Sequence, residues 1–217
     1  MRARHETPAL AFLDDATLSN DSLEAVEVSS KAATIVRTVS ERVDEFGGAA
    51  LIADYGNDYP AQDSFRYPDF SLVDKVPLDE PSVSANSQTL CDFNMMPFFV
   101  RGFRGHALHD VLTEPGTADL TADVDFSYLK RHCSEHTVTY GPVIQGDFLK
   151  ALGIEMRLQK LASAASEEAR AGLKSAFDML TSPETMGARF KFMAIFPKTM
   201  AQIHSRFPPA GFPPEQT

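Results

Sequence analysis

The chain has 217 residues, 43% apolar and 23% charged, a balance that fits a globular fold and excludes fibrous and wholly disordered classes. Thirty Asp and Glu against twenty Lys and Arg leave a net charge of −10, and the basic residues cluster only as Arg2 with Arg4 and Lys130 with Arg131, so nucleic acid is excluded as a partner. Two cysteines, Cys91 and Cys133, are too few for a disulfide framework, and no apolar run nears the roughly 20 residues that cross a bilayer, so no membrane insertion is expected.

Arg2 and Arg4 are followed at once by Glu6, Asp14 and Asp15, where transit peptides avoid acids, so no targeting signal is read. Residues 23–28 alternate apolar with acidic, the period of a half-exposed strand or extended segment. Over residues 29–46, Ala32, Ile35, Val36, Val39, Val43 and Phe46 recur at spacings of three and four, which predicts an amphipathic helix with Ser29 or Ser30 as its cap. Gly47 and Gly48 stop it. Residues 49–53 then run apolar without alternation, which suits a buried parallel strand, and the polar residues 54–58 form a loop at its carboxyl edge.

Residues 57–123 resist assignment, because a structureless stretch of that length is rare inside a domain. Its middle, residues 67–101, holds four prolines and lacks periodicity, so it reads as an irregular insertion. Beyond it, Asp125 can cap a short helix through Leu129 and Lys130, and residues 137–140 form a β-prone segment ending at Gly141-Pro142. Residues 148–161 read as two short helices broken at Gly153. Another helix spans 166–180 with Ser166 as cap, and Pro183 and Gly187 mark a turn. Residues 189–196 alternate charged and apolar before becoming wholly apolar, as a strand at or near a sheet edge does, and the Pro-rich tail from Pro197 is expected to be disordered. The domain is therefore drawn over residues 1–196, with 197–217 as tail.

Several groups of residues have the types that chemistry needs. Asp54 and Tyr55 stand at the end of a strand, where α/β folds place ligands, and Asp54 can accept from a guanidinium or a cofactor, or simply cap backbone amides. Asp119, Asp123 and Asp125 are spaced around two threonines and can engage an arginine through charge-assisted bonds, or make a turn and a helix cap. His106, His109 and Asp110, and His132 and Cys133 with His136, are metal-ligand types; His132 and His136 can share a helix face, but neither group makes a four-ligand zinc pattern and no metal is expected. Gly47-Gly48 precede their strand and Gly102 with Gly105 follow none, so neither pair reads as a nucleotide loop.

The run Gly47-Gly48-Ala49-Ala50-Leu51-Ile52-Ala53-Asp54-Tyr55-Gly56 resembles a late-strand motif of the MidA family, S-adenosylmethionine-dependent methyltransferases that act as mitochondrial complex I assembly factors and methylate arginine. Residues 106–112 with 115–126 resemble the next block, and Gly141-Pro142, Gln145 with Phe148-Leu149, Gly153-Ile154, and Met186-Gly187 leading into Phe190-Lys191 follow in the same order. Glu6-Thr7-Pro8-Ala9 and Glu27-Val28-Ser29 match as well. The resemblance covers residues 6–197 apart from 67–101. Phe65-Arg66 joins naturally to Gly102-Phe103, which marks 67–101 as a retained intron or alternative exon.

The resemblance implies an α/β architecture, the C-terminal portion of an incomplete seven-stranded, Rossmann-like methyltransferase fold. The early strands, the glycine-rich cofactor loop and the acid after the second strand are expected to be absent, so S-adenosylmethionine is implied as methyl donor with no binding residue carried over. It also implies a mitochondrial matrix enzyme making symmetric dimethylarginine on a complex I subunit. Glu27, Asp54, Tyr55, Asp119 and Asp123 then stand as substrate-side candidates, because the acceptor guanidinium needs acids that bind it and remove a proton. The alternatives are a non-catalytic assembly or interaction protein, and an unstable fragment whose strand at 49–53 exposes an unpaired edge.

Overall fold

A computed structural model describes residues 8–13, 26–58 and 100–213. The alternating segment at 23–25, most of the irregular segment 67–101 and residues 214–217 of the tail lie outside the described residues.

Helix α1 (Ser30–Phe46) starts where Ser29 leaves extended backbone and its Oγ accepts the Ala32 amide at 3.2 Å, the cap predicted from sequence. Ala33, Val36, Ser40 and Val43 form its buried stripe, and Gly47 ends it at a φ of 76°. Strand β1 (Ala50–Asn57) follows, and it is longer than the apolar run, because Asp54, Tyr55 and Gly56 belong to it rather than to a loop.

The expected parallel, fully buried strand is corrected on both counts. β1 pairs antiparallel with β7 (Phe190–Pro197), from Ala50 opposite Ile195 to Tyr55 opposite Phe190. It meets a parallel neighbour, β5 (Val124–Asp125), only at Gly56 and Asn57. Ile52 packs toward the α1 side while Leu51, on the other face, is 55% exposed. An apolar run reads the same whichever way its neighbour points, and sequence does not say which face is covered.

The main sheet has the order β5-β1-β7-β6, with β6 spanning Thr137–Ile144. β7 is therefore interior, next to the edge strand β6: Lys191 near its start and Arg189 just before it both find polar partners there. β6 does not end at Gly141-Pro142. It continues past an irregularity between Tyr140 and Val143, which carries the proline through a ladder it cannot donate to.

A second sheet of three short strands, β2 (Arg101–Arg104), β3 (Ala107–His109) and β4 (Asp119–Thr121), has the order β3-β2-β4. Gly105 thus follows a strand after all, as the turn of the β2–β3 hairpin, and Arg101 belongs to β2 opposite Thr121 rather than to an irregular insertion. Helix α2 (Phe126–Arg131) is capped by Asp125, whose Oδ1 accepts the Tyr128 amide at 2.7 Å. Helices α3 (Gln145–Ala151) and α4 (Ile154–Ser163) are separated at Gly153, which takes the left-handed conformation as α4 begins. Ser166 caps α5 (Glu167–Thr181), and Gly187 lies not in a simple turn but in the short α6 (Met186–Arg189).

Two apolar clusters flank the main sheet. On one face Ala33, Val36, Val43, Phe126, Tyr128, Leu129, Met193 and Ile195 bury together. On the other, Phe148, Ala194 and Phe212 form the centre, with Phe148 stacked on Phe192 at 4.1 Å. Phe212 overturns the expectation of a disordered tail. Residues 198–204 form a 3-10 turn and the short α7 (Ala201–His204), buried His204 sets Nδ1 3.1 Å from the Tyr140 hydroxyl, and Phe212 is 5% exposed. Burying a phenylalanine contributes about 2 kcal/mol toward ordering a proline-rich segment that composition alone marks as loose.

Candidate functional site at the carboxyl end of β1

β1 ends among charged side chains. Tyr55, opposite Phe190 in the ladder, sets its ring edge-on to Phe190 at 5.5 Å, and the Arg189 guanidinium lies 5.2 Å from the Tyr55 ring centroid. Arg189 Nη2 donates to Asp123 Oδ1 at 2.7 Å, and Asp123 is 5% exposed. A buried carboxylate and an aromatic face thus hold one guanidinium between them, and the guanidinium is the chain's own.

Two more cations crowd the same carboxylate. Arg101 Nη2 stands 3.9 Å from Asp123 Oδ1, beyond hydrogen-bond reach, and is buried with no hydrogen-bond partner. Burial first, and then Arg189, pulls the Arg101 pKa below its ordinary value, with Asp123 and Tyr55 opposing. Lys191 donates to the carbonyls of Gly56 and Ala188, and burial lowers its pKa too, against the pull of Asp123. Gly56 is required here because a Cβ would lie 2.1 Å from the Val124 carbonyl oxygen.

The amino end of α1 lies at the same edge. Tyr128, whose helix is capped by Asp125 opposite Asn57, donates its hydroxyl to the Ser29 carbonyl at 3.1 Å. Half-buried Glu27 enters α1 there. Asp54 sits one residue before Tyr55 and its Oδ1 accepts the Tyr55 amide at 2.8 Å. Asp119 is exposed on β4, opposite Phe103. Of the residues singled out from sequence, Tyr55 and Asp123 are therefore joined through Arg189, Asp54 and Glu27 stand at the same end, and Asp119 stays apart on the small sheet.

Sequence reasoning missed the three cations. Its search was for acids that bind a guanidinium, and it took Arg101 for part of an insertion and Arg189 and Lys191 for strand-edge charges. The alternation that put Arg189 and Lys191 on either side of Phe190 was the available signal.

The histidines are also placed differently from the expectation. His132 and His136 do not share a helix face: α2 stops at Arg131, and His132 is buried with its ring centroid 4.2 Å from that of Tyr128 and Nδ1 donating to the Tyr128 carbonyl at 2.9 Å. His136 is exposed in the loop before β6. Burial pushes the Cys133 thiol up to about 11, the opposite of what a nucleophile needs. A shallow groove of about 460 Å³ lies along α5, lined by Ala171, Lys174, Asp178 and Met179 among others, but its charges are paired with each other and none of its residues belongs to the cluster at β1.

Known proteins resemble the chain in sequence and in shape. A family model described as "Putative S-adenosyl-L-methionine-dependent methyltransferase" matches residues 2–143. Proteins named protein arginine methyltransferase NDUFAF7, mitochondrial, are 37% identical over 199 residues in Danio rerio, 41% over 192 in Mus musculus and 38% over 197 in Homo sapiens. These alignments cover 89%, 88% and 90% of this chain but 39%, 35% and 36% of the relatives, so the chain spans less than half of their length. An uncharacterized superfamily protein from Burkholderia thailandensis, 22% identical, superimposes with a TM-score of 0.56 over 84% of this chain and 42% of its own. A second member from that organism, bound to S-adenosyl-homocysteine and 23% identical, gives 0.50 over 77% and 36%. At those identities the two structures establish the fold: a mixed α/β sheet of the methyltransferase type.

Proposed function

The chain belongs to this family of S-adenosyl-L-methionine-dependent methyltransferases, and we propose that it serves protein arginine methylation, with S-adenosylmethionine as methyl donor and a protein as acceptor. The observation that carries the proposal is the 37–41% identity, over about nine-tenths of the chain, to relatives named protein arginine methyltransferase. The S-adenosyl-homocysteine in a related structure is the donor after its methyl group has left. The proposal extends to symmetric dimethylarginine on a subunit of respiratory complex I, in the mitochondrial matrix, in support of complex assembly.

S-adenosylmethionine would supply the methyl group, and the guanidinium nitrogen that takes it would have to give up a proton. The chain's part is to bind and orient the guanidinium and to receive that proton. Asp54, next to Tyr55 in β1 but on the α1 face of the sheet, suits both tasks, with Glu27 at the same edge and Asp119 on the small sheet as further contacts for the acceptor. Asp123 already bonds Arg189, so it acts by fixing Arg189 over Tyr55, or receives an incoming arginine only once Arg189 withdraws.

Among the described residues no glycine loop joins a parallel strand to a helix: Gly47 and Gly48 precede β1, and Gly105 turns a hairpin. These residues do not fit the adenosyl group. We assign residues 1–196 to one methyltransferase unit and extend it through the packed segment 198–213, with 67–99 as a segment inserted in it.

The test is transfer of labelled methyl from S-adenosylmethionine to mitochondrial protein, followed by mass spectrometry of the modified arginines. Dimethylarginine that disappears with Asp54→Asn is the expected result. No transfer, together with no heat of S-adenosylmethionine binding in calorimetry, would refute it and leave a non-catalytic interaction role.

A further inference from the structure

Arg101 is the least satisfied charge in the cluster. Its side chain retains 19% exposure, Nη2 is buried without a hydrogen-bond partner, and its one ionic neighbour among the described residues, Asp123, stands 3.9 Å away. A guanidinium has five donors in a rigid fork, and buried polar groups as a rule find partners, so a bare one marks a missing acceptor.

Among the described residues no acid comes within hydrogen-bond reach of Arg101 Nη2. Asp123 bonds Arg189 at 2.7 Å, Asp58 bonds Lys130 at 2.8 Å, and Asp54 Oδ1 takes the Tyr55 amide at 2.8 Å. Lys191 spends its ammonium on two carbonyls and meets Asp123 and Asp58 only through space, with Arg189 opposing them. Three cations therefore surround one buried carboxylate. A second carboxylate brought to Arg101 would form the bidentate pair that its fork is shaped for and would relieve the repulsion from Arg189.

Resting on the arginine-methylation reading above, we propose that Arg101 is the docking point for an acidic side chain that flanks the target arginine on the acceptor protein. The position suits this. Arg101 opens β2, and its ion pair with Asp123 places it beside Arg189 and the Tyr55 ring, at the end of β1 where the acceptor guanidinium has to arrive. A single carboxylate on a protein, rather than a polyanion, is the matching class, because a chain of net charge −10 repels a phosphate backbone as a whole.

The experiment uses the full chain and fluorescence anisotropy with paired peptides, each carrying one arginine flanked either by glutamates or by glutamines. The glutamate peptide is expected to bind about tenfold tighter at low salt, with the gap narrowing at high salt and vanishing in Arg101→Met. Equal affinity of the two peptides for the unmodified chain overturns the proposal whether or not any variant folds. Should Arg101→Met fail to fold, Arg101→Lys keeps the charge but loses the fork and is expected to keep only part of the gap; a full gap in either variant overturns the assignment to Arg101. A third pair in which citrulline replaces arginine separates this proposal from its premise. A glutamate preference that persists there with no contribution from arginine supports the Arg101 site while counting against arginine as the substrate.

Discussion

The two sheets are held by different forces. The four-stranded sheet lies between two clusters of buried side chains, with Phe126, Met193 and Ile195 almost wholly removed from water on one face and Phe148 and Phe212 on the other. Among the described residues the three-stranded sheet has no such cover: Leu108 is 52% and Leu120 60% exposed, and beyond the chain link it meets the main sheet through the ion pairs of Arg101 and Arg189 with Asp123. Apolar burial distributes stability over many contacts, whereas a buried ion pair concentrates it in one carboxylate. Losing one partner of such a pair strands the other charge. The part of the molecule nearest the candidate site is thus the part whose position depends most on charge.

That contrast can be broken from the apolar side first. Phe126→Ala removes a ring with no exposed surface and should cost about 4 kcal/mol of unfolding free energy in urea titration. A loss under about 1 kcal/mol would show that the cluster between α1 and the sheet is looser than described.

Asp123→Asn comes next, at about 3 kcal/mol, because it leaves Arg189 and Arg101 without their carboxylate. Its sharper signature is local. Hydrogen exchange should quicken in β2 and β4 while the β6 and β7 amides keep their protection, and uniform acceleration across both sheets would count against a separate fastening.

A smaller effect comes from pH. The Cys133 thiol titrates at about 11 in the folded chain against an ordinary 9.0, so stability is complete below pH 9 and falls from there to about pH 11, as the unfolded chain ionises and the folded one does not. Burial raises Tyr128 and Tyr140 as well and continues the fall in the same direction. Cys133→Ala should lessen the fall of the urea midpoint between pH 9 and 11, leaving the share due to the tyrosines, and an unchanged slope would place the thiol in water. Least of all, Leu120→Ser on the small sheet should shift stability by no more than about 0.5 kcal/mol, as exposed positions do; a thermal melt lowered by many degrees would reveal cover that the described residues do not supply.

What sequence made legible follows the range of the forces involved. The caps at Ser29, Asp125 and Ser166 and the break at Gly153 are settled by bonds spanning three or four residues, so local spacing located them. The partners of β1 and β7 lie some 140 residues apart in the chain, so neither their antiparallel pairing nor the interior place of β7 has a local signature. The tail misled for a related reason: Pro and Gly composition marks a loop, while Phe212 finds its neighbours in α3 and β7. At the site, residue type singled out Tyr55 and Asp123 among five candidates, and the fold brings these two together around one guanidinium. Residue type could not reveal that Arg189 already lies between them, nor that Arg101 arrives from another sheet.

The most direct test of the account is a nuclear magnetic resonance titration of the full chain with an arginine peptide and the same peptide bearing lysine. If the carboxyl end of β1 is the acceptor site, the arginine peptide alone shifts the amides of Asp54, Tyr55, Asn57 and residues 119–123, and α4 and α5 stay silent. Shifts confined to the α5 groove, or identical shifts with both peptides, would contradict it.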